Sequence, residues 1–207
     1  LEAEFGHVAM IGDATEITVD DPANLPGADQ IKKMIDAGAT QADPGSTDRS
    51  PLMDIFIQGK IGMQVGLPPT VGQIADGNPD LNYTIAPIPT QDGSALTVGV
   101  ADHLMAFKND GKKQEAITKF FDYYFSSDVY VPWVQTEGFL PTTKSGAEAL
   151  NGEEALKPFL DALPAAQFYP STNPNWSATD AAFKALFGQL AQGKDAATVL
   201  QEIQAQS

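Results

Sequence analysis

The sequence lacks several residue types and patterns on which common protein chemistries depend. It contains no cysteine, which excludes disulfides, thiolate metal sites and cysteine nucleophiles. Arg49 is its only arginine, which disfavours phosphate capture because phosphate sites combine helix N-termini with nearby arginine. No apolar run reaches the length of about 18 residues that a transmembrane helix needs, so the sequence predicts no membrane span.

Motifs of enzymes and metal sites are also missing. There is no G-x-S-x-G, H-E-x-x-H or P-loop pattern, and the two histidines, His7 and His103, lie far apart in the chain. The segment that starts at Asp13 is acidic but lacks the central glycine and final glutamate of a calcium loop. These absences predict a protein that is not an enzyme and that uses no metal or other cofactor.

The chain is strongly acidic. Its 12 basic residues against 27 acidic residues give a formal net charge of −15. Such a surface repels phosphate backbones and anionic lipid headgroups, so we expect no nucleic-acid partner and no binding to a membrane surface. The 207 residues suffice for one sizeable core or for two modest lobes.

Hydrophobic periodicity indicates alternating helices and strands. The clearest pattern, at Ile117, Phe120, Phe121 and Tyr124, predicts a helix over 112–125 with one buried face. Further helices are predicted over 28–37, 50–58, 70–75, 128–136, 145–150, 153–163, 179–192 and 196–205. Strands are predicted over 7–11, 16–19, 61–65, 83–88, 95–99 and 103–107. This order of elements predicts an α/β fold in which helices cover a mixed sheet.

Five short segments occur in an order that resembles one protein family. They are 56–66 (FIQGKIGMQVG), 83–89 (YTIAPIP), 98–103 (VGVADH), 138–142 (GFLPT) and 174–177 (PNWS). In this order they resemble the carboxy-terminal part of extracellular solute-binding proteins of ABC sugar importers, of the maltose-binding-protein-like kind. The resemblance extends from about Ile17 to Gln204 and implies a periplasmic-binding-protein-like (type II) fold of two lobes.

The resemblance also implies a domain organisation. Residues 1–98 and 142–207 would form the carboxy-terminal lobe, and 99–141 would be a crossing segment that in the family joins the amino-terminal lobe. Because the family is much longer than this chain, we expect most of the amino-terminal lobe to be missing. Unpaired strands in the crossing segment would then invite pairing with a partner, including a second copy of the chain.

Seven residues are candidates for ligand binding. Trp176 stands in a polar loop at a helix entrance, where it is either a sugar-stacking plate or a hydrophobic staple that packs the loop. Asp102 is either a hydrogen-bond acceptor for sugar hydroxyls or a turn residue between strands. The full set implied by the resemblance is Gly66, Leu67, Asp102, His103, Phe139, Asn175 and Trp176.

One departure from the resembled family bears on the sugar. Maltose-binding relatives have G-P-W at the bend where this chain has Gly66-Leu67-Pro68, so the stacking tryptophan is absent. A second tryptophan that those relatives carry near the position of Asp180 is absent as well. The expected ligand is therefore an oligosaccharide or related polyol, with no preference for maltodextrin.

The resemblance implies a function without catalysis. The protein would capture a carbohydrate by closure of two lobes and deliver it to an ABC transporter permease. It would be extracellular or periplasmic, with a lipid anchor at a missing amino terminus as one arrangement, since the start at Leu1 shows no signal peptide. Two alternatives stay open: a non-catalytic fragment that binds a partner or itself, and a glycan hydrolase with two carboxylates facing one cleft.

Overall fold

The computed structural model describes residues 16–90, 93, 94 and 96–207. The strand predicted over 7–11 lies outside these residues. The predicted α/β class is confirmed, with many helices and one small parallel sheet. None of the helices in the described ranges is long and apolar enough to cross a membrane.

Helices dominate the described part of the chain. In chain order the α-helices are α1 (Leu25–Asp36), α2 (Arg49–Ile57), α3 (Thr70–Gly77), α4 (Gln114–Tyr124), α5 (Ser127–Glu137), α6 (Lys144–Leu150), α7 (Lys157–Ala162), α8 (Trp176–Leu186) and α9 (Ala196–Gln204). Short 3-10 helices span Pro22–Asn24, Leu163–Ala165 and Phe187–Gln192. Strands β1 (Thr97–Gly99) and β2 (Ala166–Phe168) pair with each other.

The chain divides into two compact units. The first unit comprises the described part of Leu1–Val65 together with Val98–Val100 and Gln167–Ser207. The second unit comprises Gly66–Thr97, as far as it is described, and Ala101–Ala166. The lobe division over 1–98, 99–141 and 142–207 stays a prediction.

The core of the first unit joins the two ends of the described chain. On α9, Val199, Leu200 and Ile203 recur at helical spacing and are buried, and they pack with Ile17 and Val19. The backbone N–H of Val19 donates to Oε1 of Gln204 at 2.6 Å. Residues near position 18 are therefore held by a helix that lies far along the chain.

Helix α9 begins at a charged cap. Asp195 accepts hydrogen bonds from the backbone N–H and the hydroxyl of Thr198, each at 3.0 Å. These bonds, the backbone bond foremost, lower the pKa of Asp195 below its ordinary value because they favour the ionised carboxylate. The cap therefore stabilises the fold most when Asp195 is charged.

Asp195→Ala is expected to lower the melting temperature at neutral pH, because the first turn of α9 loses its cap. A lowered folded-state pKa stabilises the fold above the unfolded-state pKa, about 3.9, and this contribution disappears as pH falls through the folded-state value. The melting difference from wild type should therefore shrink in strong acid, as calorimetric scans across pH will show. Asp195→Asn keeps an acceptor oxygen, so its melting temperature should lie between those of the wild type and Asp195→Ala. A difference that is constant with pH would contradict the charge-based account.

The core of the second unit forms where α5 packs on α6. Tyr130, Val134, Leu150 and Leu156 are buried together. The hydroxyl of Tyr130 accepts from the backbone N–H of Thr142 and lies 2.8 Å from its Oγ1. This bond fixes the segment after α5 against the helix.

Several elements differ from the sequence-based expectations. The stretches 16–19, 61–65, 83–88 and 103–107 were expected as strands but form none, and β2 was not expected. A strand needs a neighbouring strand that shares its backbone hydrogen bonds, and these stretches have none among the described residues. The predicted buried face of α4 is only partly formed. Ile117, Phe121 and Tyr124 are half-buried, whereas Phe120 is 51% exposed.

Candidate functional site

The loop before α8 is folded by its own asparagines. Asn173 is buried, and its side-chain oxygen accepts from the backbone N–H of Asn175 at 2.9 Å. The backbone oxygen of Asn173 accepts from the N–H of Trp176 at 3.1 Å. Asn175 and Trp176 are therefore presented by a locally fixed turn at the first residue of the helix.

Trp176 forms an aromatic pair that the sequence did not reveal. Its ring stacks on Tyr169 with centroids 5.2 Å apart and an interplanar angle of 24°. The indole is half-buried and packs against the core of the first unit. Packing and ligand stacking are thus compatible, since part of the ring pair still faces solvent.

The side-chain amide of Asn175 is uncommitted in the described part of the chain. Its side chain is exposed and makes no hydrogen bond with any residue in the described ranges. A side-chain amide offers both donors and an acceptor, which suits a hydroxyl group that does both. The stacked rings of Tyr169 and Trp176 and this amide are close in sequence and lie in one unit.

In the second unit, hydrogen bonds with Thr70 hold Leu67 in place at the predicted bend. The N–H of Leu67 donates to Oγ1 of Thr70 at 3.0 Å, and its carbonyl accepts from the N–H of Thr70 at 2.9 Å. Leu67 therefore has no backbone donor left for a ligand. Gly66 is exposed, and its backbone groups have no hydrogen-bond partner among the described residues.

The bend contacts the segment that carries Phe139. Gly138 ends α5 with a φ of 71°, in the left-handed region that favours glycine. A Cβ atom at Gly138 would lie 3.2 Å from Cα of Pro69. Phe139 follows directly, and its ring lies 5.8 Å from that of Trp133 at an angle of 31°. Gly66, Leu67 and Phe139 thus share one region of the second unit.

Gly138→Ala is expected to cost about 2 kcal/mol of unfolding free energy, of which about 1 kcal/mol is the left-handed backbone. The rest comes from the contact with Pro69, whose backbone cannot yield as a flexible side chain would. Gly193→Ala is the matched control, because Gly193 also ends a helix at positive φ (88°) but has nothing within 4 Å of a Cβ. Urea unfolding measures both. Equal losses for the two variants would show that the Pro69 contact has no energetic weight.

No hydrogen bond or ion pair within the described ranges joins Asp102 or His103 to this region. Both are exposed in the stretch 101–109, which forms neither helix nor strand. Neither side chain has a hydrogen bond or ion pair with another described residue. The structure therefore brings together three of the seven candidates in the second unit and two, Asn175 and Trp176, in the first.

Sequence reasoning missed Tyr169 and Trp133. Tyr169 precedes the polar loop that Trp176 follows, and an aromatic residue on each side of one loop was the available signal. Trp133 lies on α5, where helical spacing favours core packing, but it is 39% exposed beside Phe139. Both residues enlarge the aromatic surface next to a predicted site residue.

The shifted ionisable groups have structural causes. The side chain of Lys112 lowers the pKa of Asp110, and Asp161 raises that of Lys157 on the same helix turn. Burial raises the pKa of Tyr124. Within the described ranges no group of three or more histidine or acidic residues could hold a metal ion.

Comparison with known proteins finds one matching family and several similar proteins. Residues 3–131 match the family described as bacterial extracellular solute-binding protein. Proteins of Brucella abortus (strain 2308) and Brucella suis biovar 1 (strain 1330), whose names state a binding role and no ligand, are each 37% identical over 159 residues. The alignment covers 75% of this chain and 38% of each relative. The chain thus spans well under half the length of the curated relatives it matches.

Proposed function

The chain belongs to the bacterial extracellular solute-binding protein family, and from this premise we propose that it captures a carbohydrate for delivery to an ABC transporter permease. Membership itself supports binding of a small molecule, a transporter partner and a location outside the cytoplasmic membrane. The carbohydrate, the permease and a lipid anchor are the finer parts of the proposal. The preferred ligand is an oligosaccharide or a related polyol.

The proposal of a carbohydrate ligand rests on one observation, the stacked pair of Tyr169 and Trp176 with Asn175 next to it in the chain. Sugars combine flat C–H faces with a rim of hydroxyls, so their sites join aromatic plates to amide or carboxylate groups. The pair supplies a plate at 5.2 Å ring separation, and Asn175 supplies an uncommitted amide. The side-chain and backbone oxygens of Asn173 accept from the backbone N–H groups of Asn175 and Trp176, which fixes the backbone of both residues and lowers the ordering cost on binding.

The second unit holds its own set of candidate groups for a sugar. Phe139 with Trp133 would supply a second aromatic surface, and Gly66 would supply backbone donors and acceptors. Asp102 would accept hydrogen bonds from sugar hydroxyls, and His103 would donate or accept them. Leu67 would contribute only its side chain, because Thr70 occupies its backbone.

We propose the lobe division that the resemblance implies. Residues 1–98 and 142–207 would form the carboxy-terminal lobe, and 99–141 would cross to an amino-terminal lobe of the whole protein. The exposure of Leu104, Met105 and Phe107 supports this, because such residues normally pack against a partner. Capture would then proceed by lobe closure, a shift in an open–closed equilibrium that the permease senses.

Glycan hydrolysis finds less support than capture. A glycosidase needs a carboxylic acid whose pKa is raised so that it can protonate the leaving group. Among the residues that the structure describes, two carboxyls have a shifted pKa, and both of these pKa values, those of Asp110 and Asp195, are lowered. Members of the family are in general not enzymes.

Calorimetric titration tests the proposed function. Monosaccharides, oligosaccharides, polyols, amino acids and short peptides are titrated into this chain and into the full product of its gene. Saturable, equimolar heat with a sugar or polyol is the expected result, from the full product if both lobes are needed. Saturable heat with an amino acid or peptide alone would move the protein to another solute class. No heat from folded protein would overturn capture of these ligands.

A further inference from the structure

Asn151 and Gly152 form the turn that follows α6, and theirs is the only Asn-Gly pair in the sequence. The side chain of Asn151 makes no hydrogen bond with any residue in the described ranges. The backbone N–H of Gly152 likewise donates to no described residue, and a Cβ atom at this glycine would meet nothing within 4 Å. A side-chain amide and the backbone nitrogen that follows it are therefore both uncommitted, at the residue type that leaves the backbone most freedom.

We propose that Asn151 is a site of spontaneous deamidation through the backbone nitrogen of Gly152. Asparagine is among the thermolabile residues. The nitrogen of Gly152 bonds to Cγ of Asn151 and closes a succinimide ring, while the Cγ–Nδ2 bond breaks and the amide nitrogen leaves as ammonia with the proton of the N–H. Water then opens the ring at Cγ, which gives aspartate, or at the backbone carbonyl carbon, which gives isoaspartate. One water is consumed and one ammonia released, with no change of oxidation state.

The turn around Asn109 shows how this fold blocks the same chemistry elsewhere. Nδ2 of Asn109 donates to the carbonyl of Phe107 at 3.2 Å, and its Oδ1 accepts from the N–H of Gly111 at 2.9 Å. The pair Asp110-Gly111 thus lacks a free nucleophile. Its carboxylate also accepts from Nζ of Lys112 at 2.8 Å and from the backbone N–H of Lys112. These bonds, the side-chain bond foremost, lower the pKa of Asp110 and keep it ionised, a form that resists attack by nitrogen.

The remaining asparagines are followed by residues that hinder ring closure. Asn78 and Asn173 precede proline, whose nitrogen carries no hydrogen to lose. Asn24, Asn82 and Asn175 precede leucine, tyrosine and tryptophan, whose side chains restrict the backbone where glycine does not. Sequence and hydrogen bonding together therefore favour the one Asn-Gly pair.

Deamidation changes the turn that closes the core of the second unit. Leu150 is fully buried, and its carbonyl accepts from the N–H of Glu153 at 3.1 Å. Glu153 in turn accepts from Nε2 of Gln135 on α5 at 3.2 Å. Either product adds a negative charge at the carboxy-terminal end of α6, where the helix dipole disfavours it and Glu153 and Glu154 repel it. Isoaspartate also lengthens the main chain by one methylene group, so the reaction should loosen the second unit.

This proposal is independent of carbohydrate capture. Asn151 is not among the candidate ligand-binding residues, and the reaction requires only water. Both reacting groups belong to consecutive residues, so the proposal needs no contact with another surface. Loss of the amide therefore says nothing for or against sugar binding.

Peptide mapping by mass spectrometry after incubation at mildly alkaline pH tests the proposal. The incubation uses heavy-oxygen water, with this chain and with the full product of its gene. The expected result is conversion of Asn151 into two products of equal mass, each with one heavy oxygen, ahead of the other six asparagines. A synthetic peptide of residues 148–155, incubated in parallel, gives the rate without the fold. Folded protein that keeps Asn151 while the peptide loses its amide would overturn the proposal.

Two variants test the nucleophile and the ring. Gly152→Ala should slow the loss several-fold, because a Cβ atom restricts the backbone rotation that ring closure needs. The variant should fold, since its Cβ meets nothing within 4 Å and Gly152 is not in the left-handed region. Asn151→Gln keeps an amide on a longer side chain, which requires a larger ring, and should stay intact. Equal rates in the wild type and Gly152→Ala would overturn the assigned nucleophile.

A third variant tests the effect on the second unit. Asn151→Asp carries the charge of one product from the start, so its midpoint of urea unfolding should lie below that of Asn151→Gln. Aged wild-type protein, which also contains isoaspartate, should have a lower midpoint than fresh protein. Unchanged midpoints in both comparisons would overturn the predicted loosening.

Discussion

Replacement of Trp176 by alanine is expected to weaken binding of the captured sugar about 30-fold. Truncation of a tryptophan that anchors a ligand typically costs about 2 kcal/mol, and each 1.4 kcal/mol is a factor of ten in the dissociation constant. Trp176→Phe keeps a flat ring against Tyr169 and should lose only part of this affinity. Calorimetric titration with the best ligand of the panel measures both variants.

Trp176 also packs against the core, so stability needs its own control. Leu186 belongs to the same helix and the same core cluster, is half-buried, and has no place in the proposed site. Leu186→Ala should lower stability comparably while the affinity for sugar stays unchanged. If Leu186→Ala weakens binding as much as Trp176→Ala, the tryptophan acts through the fold. If Trp176→Ala binds sugar normally, the indole packs the loop onto the helix and does not stack on the ligand.

Ile203→Ala is expected to cost about 4 kcal/mol of unfolding free energy in the first unit. Ile203 is fully buried in the core that joins α9 to Ile17 and Val19, and truncation leaves a cavity among side chains that cannot collapse freely. That loss is a large share of the total of about 5–15 kcal/mol that a domain of this size has. Urea unfolding followed by tryptophan fluorescence measures it.

The two tryptophans report on the two units separately. Trp176 lies in the first unit and Trp133 in the second, so single-tryptophan variants follow each transition. Ile203→Ala should shift the transition seen by Trp176 and leave that of Trp133 in place. Leu150→Ala is the matched control, because Leu150 is fully buried in the core of the second unit and should do the reverse. Equal shifts at both tryptophans would show that the units unfold as one.

The helices could be predicted because the residues that specify a helix lie close together in the sequence. The apolar spacing and Gly138 locate α5 to within one residue at each end, and the same holds for α9. Helix α2, predicted over 50–58 and observed over Arg49–Ile57, agrees as closely at its ends, but its cap differs from the one expected. Ser50-Pro51 indicates a cap at Ser50, whereas Asp48 caps the helix and accepts from the N–H of Arg49 at 2.7 Å.

Strands and the site depended on contacts between distant residues. The alternation at 103–107 is typical of a strand, but pairing needs a neighbour that the sequence cannot supply. The polar loop at 171–175 drew attention to Trp176, which the structure places at the first residue of α8 and against the core of the first unit. The aromatic residues on each side of this loop hinted at its partner Tyr169, but their stacking depends on how the chain returns after β2, which the sequence does not show. The contact of Gly138 with Pro69 was hidden for the same reason.

The bond between Val19 and Gln204, 185 residues apart, has a consequence for biosynthesis. At a translation rate of about 5–20 residues per second, Val19 is synthesised roughly 10–40 s before Gln204. Throughout that interval Ile17 and Val19 are without α9, which buries them in the finished protein. The core of the second unit, which lies between Tyr130 and Leu156, is complete earlier. The nascent first unit therefore depends on whatever shields apolar segments during translation.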